Sequence, residues 1–267
     1  MIKKEGHVHS PFCPHGTNDD FVNYIEKAIE KGFHEISFTE HAPLPNGFID
    51  PTPQKDSAMA LQNIEDYIHR LKSLKKEYSK DIMINVGLEV DFIIGYESQT
   101  KEFLNQYGPE LDDSILSVHF LKVDNKYYCL DFDHHTFQKL IQLKSGISNV
   151  YELYYEMVLQ SILSDLGPYK PKRVGHITLI RKFQKLFPEK NHHIKWIERI
   201  LKEMAKRKME LDVNVAGLRK EYCGEIYPSK IVVEMAKQQK IPLVYGSDAH
   251  SAKDVGANYI EFEQHVL

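Results

Sequence analysis

The sequence predicts an α/β protein folded as a closed or nearly closed β/α barrel. Three observations lead there. Short apolar, β-branched stretches alternate with longer stretches of helical period, the pattern of a parallel sheet with helical crossovers. Seven such strand candidates fit within 267 residues, a length that suits one large domain. No Gly/Ser-rich linker, low-complexity tract or internal repeat divides the chain, so residues 1–267 are expected to form a single domain.

The first strand is expected at Lys3–His9. The helix after it, Asp19–Lys31, has Thr17 and Asn18 as possible caps and Gly32 as its stop. Glu35–Thr39 is the second strand and Ser57–Tyr78 a long helix. Strands follow at Ile82–Glu89, Ile115–Phe120 and Arg173–Ile177, with the helix Val150–Leu166 before the last of them. The helix Ile194–Arg207, the strand Met209–Val215, the helix Ser229–Gln239 and the strand Pro242–Gly246 complete the series. Pro228 suits the entry to the last helix. Two insertions stand out: Pro43–Asp56, rich in Pro, Asn and Asp, and the aromatic, acidic Val123–His135. Loops after the strands form the active face of a β/α barrel, so both are expected to shape a pocket.

Composition narrows the function. Lys plus Arg number 34 and Asp plus Glu 38, so no basic surplus exists to neutralise a nucleic-acid backbone. Three scattered cysteines, Cys13, Cys129 and Cys223, make no disulfide framework. The start, MIKKEGHVHS, lacks the apolar core of a secretory signal, and no apolar run approaches the roughly 20 residues of a membrane span. A cytoplasmic protein is expected, without nucleic-acid or membrane partners.

The 14 histidines are the informative residues. His7 and His9 lie two apart on the first strand, so both side chains share one face. On its own such a pair is more often exposed or hydrogen-bonded than a ligand pair. Glu40 and His41 close the second strand, Glu89 ends the third, His119 the fourth and His176 lies in the fifth. Asp248 and His250 follow the last strand, again two apart. Five of the seven strands thus carry His at or just beyond the C-terminal end, and a sixth carries Glu89. His15 adds a loop imidazole, and nearby Cys13 offers a thiolate that a buried loop thiol explains equally well. His34, His69, His192, His193 and His265 scatter over helices and loops, with His134 and His135 as weak substrate-loop candidates.

Seven imidazoles and two or three carboxylates converging without cations would repel one another and resist desolvation. Divalent ions resolve that conflict. The set is too large for one tetrahedral ion and suits two or three sharing a carboxylate. Imidazole with carboxylate favours Zn, Fe or Mn over Ca or Mg. Such a centre implies hydrolysis, with an activated water as nucleophile and other ions neutralising phosphoryl oxygens. Redox chemistry is the competing class, but nothing marks an O₂-activating facial triad.

These motifs, H-x-H, E-H, a lone Glu, two single His and D-x-H in that order, resemble the polymerase-and-histidinol-phosphatase (PHP) superfamily. The stretches HSPFCPHG, SFTEHAPLP, GLEVDFIIGYE, SVHFL and GHITLIRKF resemble its histidinol-phosphatase branch. The resemblance implies a distorted seven-stranded TIM-like barrel and three ions per chain. His7, His9, Glu89 and Asp248 match the first site; Glu89, His119 and His176 the second, with Glu89 bridging; His15, His41 and His250 the third. Glu89, Asp248 and His250 are the implied catalytic residues, and Glu40 is expected to hold a histidine of the third site. Thr178 stands where related sequences often carry Asp.

The implied reaction is hydrolysis of L-histidinol phosphate to L-histidinol and phosphate in histidine biosynthesis, by a metal-activated water attacking phosphorus. Arg181 and Arg219 follow strand ends and suit bidentate phosphate binding, Arg173 less so because it precedes its strand. Asp91 or an acid of Val123–His135 suits the amine, and Phe48, Tyr96 or Phe120 the imidazole. The alternatives are a PHP phosphoesterase for another small ester or a nucleotide, a proofreading nuclease, and a non-catalytic metal-binding module. The acidic balance disfavours the nuclease and the intact ligand set the module.

Overall fold

A computed structural model describes residues 3–266. Seven parallel strands form one sheet: β1 (Lys4–Val8), β2 (Glu35–His41), β3 (Met83–Asp91), β4 (Asp113–Ser117), β7 (Arg173–Val174), β8 (Glu210–Asn214) and β9 (Leu243–Gly246), paired in that order. Between β4 and β7 an antiparallel hairpin, β5 (Phe120–Val123) and β6 (Lys126–Cys129), stands outside that sheet. The two sheet edges meet just past the strand ends. His9 N–H donates to the Ala249 carbonyl at 3.0 Å and Asp248 N–H to the His7 carbonyl at 2.8 Å, closing the ring between β1 and β9. The result is the distorted TIM-like α/β barrel of seven strands that the sequence implies.

The strands are buried on both faces, with one face apolar and the other carrying the barrel's polar side chains, as Asn85, Glu89 and Asp91 do in β3. Ile84, Val86, Leu88 and Val90 of β3 are all buried. The helices α1 (Phe21–Glu30), α2 (Ile64–Glu77), α3 (Glu97–Tyr107), α4 (His134–Leu143), α5 (Ile147–Leu163), α6 (Ile194–Lys206), α7 (Lys230–Gln238) and α8 (Tyr259–Val266) surround them. α6 shows the logic: Ile197, Ile200, Leu201 and Met204 recur at helical spacing and are all buried.

Several boundaries differ from expectation for local reasons. α1 is capped by Asp20, whose carboxylate accepts from Val22 N–H at 3.2 Å, and not by Thr17 or Asn18. α2 starts at Ile64 and not near Ser57, because residues 57–59 belong to a hydrogen-bonded strap described below. The predicted fourth strand ends at Ser117, and Phe120 opens the hairpin instead. The predicted fifth pairs only over Arg173–Val174. Helices α3, α4 and α8 were not expected from the sequence. The insertion Val123–His135 is the hairpin, a turn and the start of α4, so His134 and His135 lie in a helical first turn capped by Asp133.

Arg173 fills the barrel at the opposite end from the histidines. Its guanidinium is 1% exposed and pairs with Asp113 Oδ2 at 2.6 Å, with Lys4 on the same carboxylate at 3.2 Å. This position removes Arg173 from the phosphate candidates. Asp113→Ala leaves a buried guanidinium without its carboxylate, and we expect urea denaturation to show about 3 kcal/mol lost stability at unchanged slope.

Candidate metal centre

Glu89 lies two residues before the end of β3, which runs on to Asp91 beyond the expected Ile82–Glu89, and its carboxylate is buried at the centre of the strand ends. Five imidazoles converge on it. His176 Nε2 is 2.8 Å from Oε1, His41 Nδ1 3.1 Å from Oε2, and His7, His9 and His119 place Nε2 at 3.5, 3.7 and 3.8 Å. Ser117 Oγ donates to Oε1 at 2.7 Å. The neighbouring strand makes room: a Cβ on Gly175 would strike Ser117 Oγ at 2.2 Å.

The outer ring nitrogens are fixed by oxygen atoms. His7 Nδ1 lies 3.0 Å from Asp212, His9 Nδ1 3.3 Å from Glu40 and His119 Nδ1 2.8 Å from Asp91. His15 Nδ1 donates to the Asp56 carbonyl at 2.8 Å and His250 Nδ1 to the Asp248 carbonyl at 3.1 Å. A hydrogen bond from Nδ1–H leaves Nε2 as the lone-pair nitrogen of a neutral ring. All five therefore aim Nε2 inward. Gly246 permits the His7 contact, since a Cβ there would meet Asp212 Oδ1 at 2.5 Å and His7 Cβ at 2.7 Å. Asp248 adopts a left-handed backbone (φ 55°) and receives Asn214 Nδ2 on Oδ2 at 3.1 Å, leaving Oδ1 3.1 Å from His9 Nε2.

The residues fit divalent ions. His15 and His250 oppose Nε2 to Nε2 at 3.2 Å while both Nδ1 atoms donate to carbonyls. Two lone pairs so close repel unless a cation joins them. Protons are disfavoured there: burial and then neighbouring imidazoles, His41 for His15 and His9 for His250, lower both pKa values. His7 Nε2 is also buried without a hydrogen-bond partner among the described residues. Candidate donor atoms within 4.8 Å of one another form three groups: His7, His9 and Glu89; Glu89, His119 and His176; and His9, Cys13, His41 and His250. Asp248 stands beside the first group and His15 beside the third.

Charge shapes the cluster without ions. Burial opposes ionisation of Glu89, but His7 and His119 outweigh it and hold the carboxyl well below its usual range. Burial also disfavours the His9 and His119 imidazolium forms. Asp248 and Glu40 nonetheless lift His9 to about 9, and Asp91 and Glu89 lift His119 to about 10. Ions bound there displace those protons.

Above the centre lies a cavity of about 570 Å³. Arg219 lines it, its Nη2 donating to the Ser247 carbonyl at 2.7 Å. Arg181 is not among the lining residues; its guanidinium is held by Glu225 at 3.0 Å. The turn at Leu179–Phe183 offers Lys182 to the cavity instead, paired with Asp131 at 3.0 Å. Lys220 and Lys253 also line it. Of the three aromatic candidates only Phe120 does; Phe48 and Tyr96 pack on each other and on Tyr127 outside it. Asp91, a candidate for the amine, spends Oδ1 on His119. Thr178 is buried, its hydroxyl unpartnered among the described residues. Glu40 holds His9, shared by two of the donor groups, and also accepts from the backbone of Ser10 and His41. Asp212 and Lys182 were missed. Asp212 reads as one more acid in a strand; Lys182 stands beside the more conspicuous Arg181.

A barrel whose strand ends converge imidazoles on one buried carboxylate defines a metal-centred barrel protein. The chain belongs to the PHP family: the PHP domain model matches residues 5–216, and a PHP-associated model matches residues 230–266. Asp248 and His250 lie in the second region, so both build the centre. Histidinol-phosphatase of Bacillus subtilis is 55% identical over 264 residues, covering 98% of each chain. A crystal structure of a histidinol phosphatase candidate from Listeria monocytogenes superposes with a TM-score of 0.94 at 41% identity, covering 97% of this chain and 100% of that one. The histidinol phosphate phosphatase of Lactococcus lactis, solved with zinc, L-histidinol and phosphate, covers 99% of this chain and 92% of its own, with a TM-score of 0.75. At 19% identity that likeness is one of fold.

Asp212→Ala frees the His7 ring to turn Nε2 away from Glu89. We expect a 10–100-fold loss of metal affinity, read by zinc titration of the ion-free protein, with secondary structure retained.

Proposed function

We propose that the chain is a metal-dependent phosphomonoesterase that hydrolyses L-histidinol phosphate to L-histidinol and inorganic phosphate. The observation that carries the chemistry is the set of inward imidazole nitrogens around Glu89 on the floor of a cavity with cationic walls. The substrate rests on the end-to-end identity with the Bacillus subtilis histidinol-phosphatase. We place the reaction in histidine biosynthesis and the protein in the cytoplasm, where the three free cysteines suit a reducing compartment. No described helix is long and apolar enough to cross a membrane. Residues 1–267 act as one phosphoesterase domain; pairing of β8 with β9 across the two matched regions supports this.

We assign three ions, held by His7, His9, Glu89 and Asp248; by Glu89, His119 and His176; and by His15, His41 and His250. Zn, Mn or Fe suits these donors. When bound, they supply Lewis acidity that activates water and neutralises phosphoryl oxygens. The chain's own side chains do the rest. Arg219, Lys182 and Lys220 attract the phosphate dianion, with Arg219 offering a planar donor fork. Asp131 offers a carboxylate to the substrate ammonium: burial opposes its ionisation, but Lys182 and then His119 hold its pKa below the usual range. Phe120 offers an apolar face to the imidazole.

The test is phosphate release from L-histidinol phosphate beside an aryl phosphate and a nucleotide. We expect kcat/KM at or above about 10⁴ M⁻¹s⁻¹ for the first and far less for the others. Equal, feeble rates on all three would refute the substrate. Glu89→Gln should remove ions at two sites and nearly all turnover, and normal activity in that variant would sink the bridging role. Arg219→Ala should raise KM more than it lowers kcat; if neither changes, Arg219 does not bind the phosphate.

A further inference from the structure

The strap between β2 and α2 closes on itself. Met59 N–H donates to the His41 carbonyl at 3.2 Å, so the segment from 43 to 58 leaves and returns beside a histidine of the third donor group. It has two anchors. Phe48 is enclosed by Tyr96, Phe120 and Tyr127, each ring centroid 5.0–5.3 Å away. The other anchor is Asp50, a buried carboxylate with no ion-pair partner among the described residues. Its Oδ1 accepts from Thr52 N–H and Oγ1 at 2.9 Å and from Ser57 Oγ at 3.0 Å, while Oδ2 accepts from Ser57 N–H at 3.0 Å.

Burying a carboxylate among neutral donors is costly, so the ordering it achieves needs a use. Asp50 does not line the cavity, but the residues it gathers do: Thr52, Asp56 and Ser57 form part of the wall. Between Thr52 and Ser57 lies the Asp56 carbonyl, the acceptor for His15 Nδ1. His15 itself stands in an exposed loop, and its other ring neighbours are His250 and His41, the ligands it is assigned to join. Without the Asp56 carbonyl in place, rotation of the ring removes Nε2 from its position opposite His250.

We propose that Asp50 is a positioning residue that couples the cavity wall to the third ion position, by holding the Asp56 carbonyl against His15. The inference rests on the three-ion reading above. It makes that ion the one most sensitive to the strap. Among the described residues, no strap side chain hydrogen-bonds a ligand of the other two ions, whereas the Asp56 carbonyl accepts from His15. A ligand pressing on Thr52 or Asp56 and an ion at His15 then stabilise each other through one segment.

The experiment is zinc titration and zinc counting on the ion-free full chain, for the parent, His15→Ala, Asp50→Ala, Asp50→Asn and the double variant. The parent is expected to bind three zinc ions and His15→Ala two. Asp50→Ala should weaken the weakest zinc 10–100-fold while the other two remain. Asp50→Asn keeps an acceptor for three of the four donors and should fall between parent and Asp50→Ala. The double variant should lose no more zinc than His15→Ala alone. Three tight ions in Asp50→Ala, with only a lower melting temperature, would make Asp50 merely structural and overturn the inference. No zinc lost in His15→Ala would instead overturn the three-ion reading beneath it. If Asp50→Ala does not fold, Thr52→Val with Ser57→Ala removes both hydroxyl donors and is read the same way.

Discussion

Hydrogen bonds on the outer nitrogens of five histidines set the conditions that the rest of the barrel meets. Asp212, Glu40, Asp91 and two backbone carbonyls hold Nδ1 of His7, His9, His119, His15 and His250, and each ring then aims Nε2 at the centre. Glu40 and Asp91 come from the strand next to their histidine, and Asp212 reaches His7 across β9. Gly246 brings β9 against the His7–Asp212 contact, and Gly175 leaves space for Ser117 under Glu89. The closing bonds between His7, His9 and the segment at Asp248–Ala249 bring the last ligands beside the first. The chain ends of the barrel and the metal centre are thus one construction.

Electrostatics explains why the cluster is tolerable. Glu89 and Asp248 are kept ionised by the imidazoles despite burial, and His9 and His119 keep protons through their carboxylate partners. At His15 and His250 burial and the neighbouring imidazoles outweigh the nearby oxygens, and there the rings resist protonation. The same principle works at the other end of the barrel with fixed charge, where Arg173 and Lys4 share Asp113. One end is closed by a protein cation; the other is shaped to receive cations from outside.

The barrel and its ligand positions were legible because both are periodic. Buried parallel strands read as apolar runs, and ligands at strand ends recur at that same spacing. What the sequence hid depends on the third dimension. Asp212 matters only because barrel closure leaves β9 alone between β8 and β1, and Gly246 of β9 lets its carboxylate reach His7. The Leu179–Phe183 turn decides that Lys182 lines the cavity while Arg181 meets Glu225, a choice that adjacency in the sequence does not make. Helix α3 buries only Thr100 and Leu104, too little to mark a face, whereas Phe137, Leu140 and Ile141 of α4 do recur at helical spacing and were legible. Asp50 looked like any acid of a polar insertion until its four donors were seen.

Anomalous diffraction from crystals soaked in zinc tests the central claim most directly. The account predicts three peaks in the mouth of the barrel, two of them sharing Glu89. Nε2 of His7, His9, His15, His119 and His250 should point at them, and every Nδ1 should remain on its oxygen partner. A single peak, or any of those five rings turned to offer Nδ1 to the zinc, would contradict it.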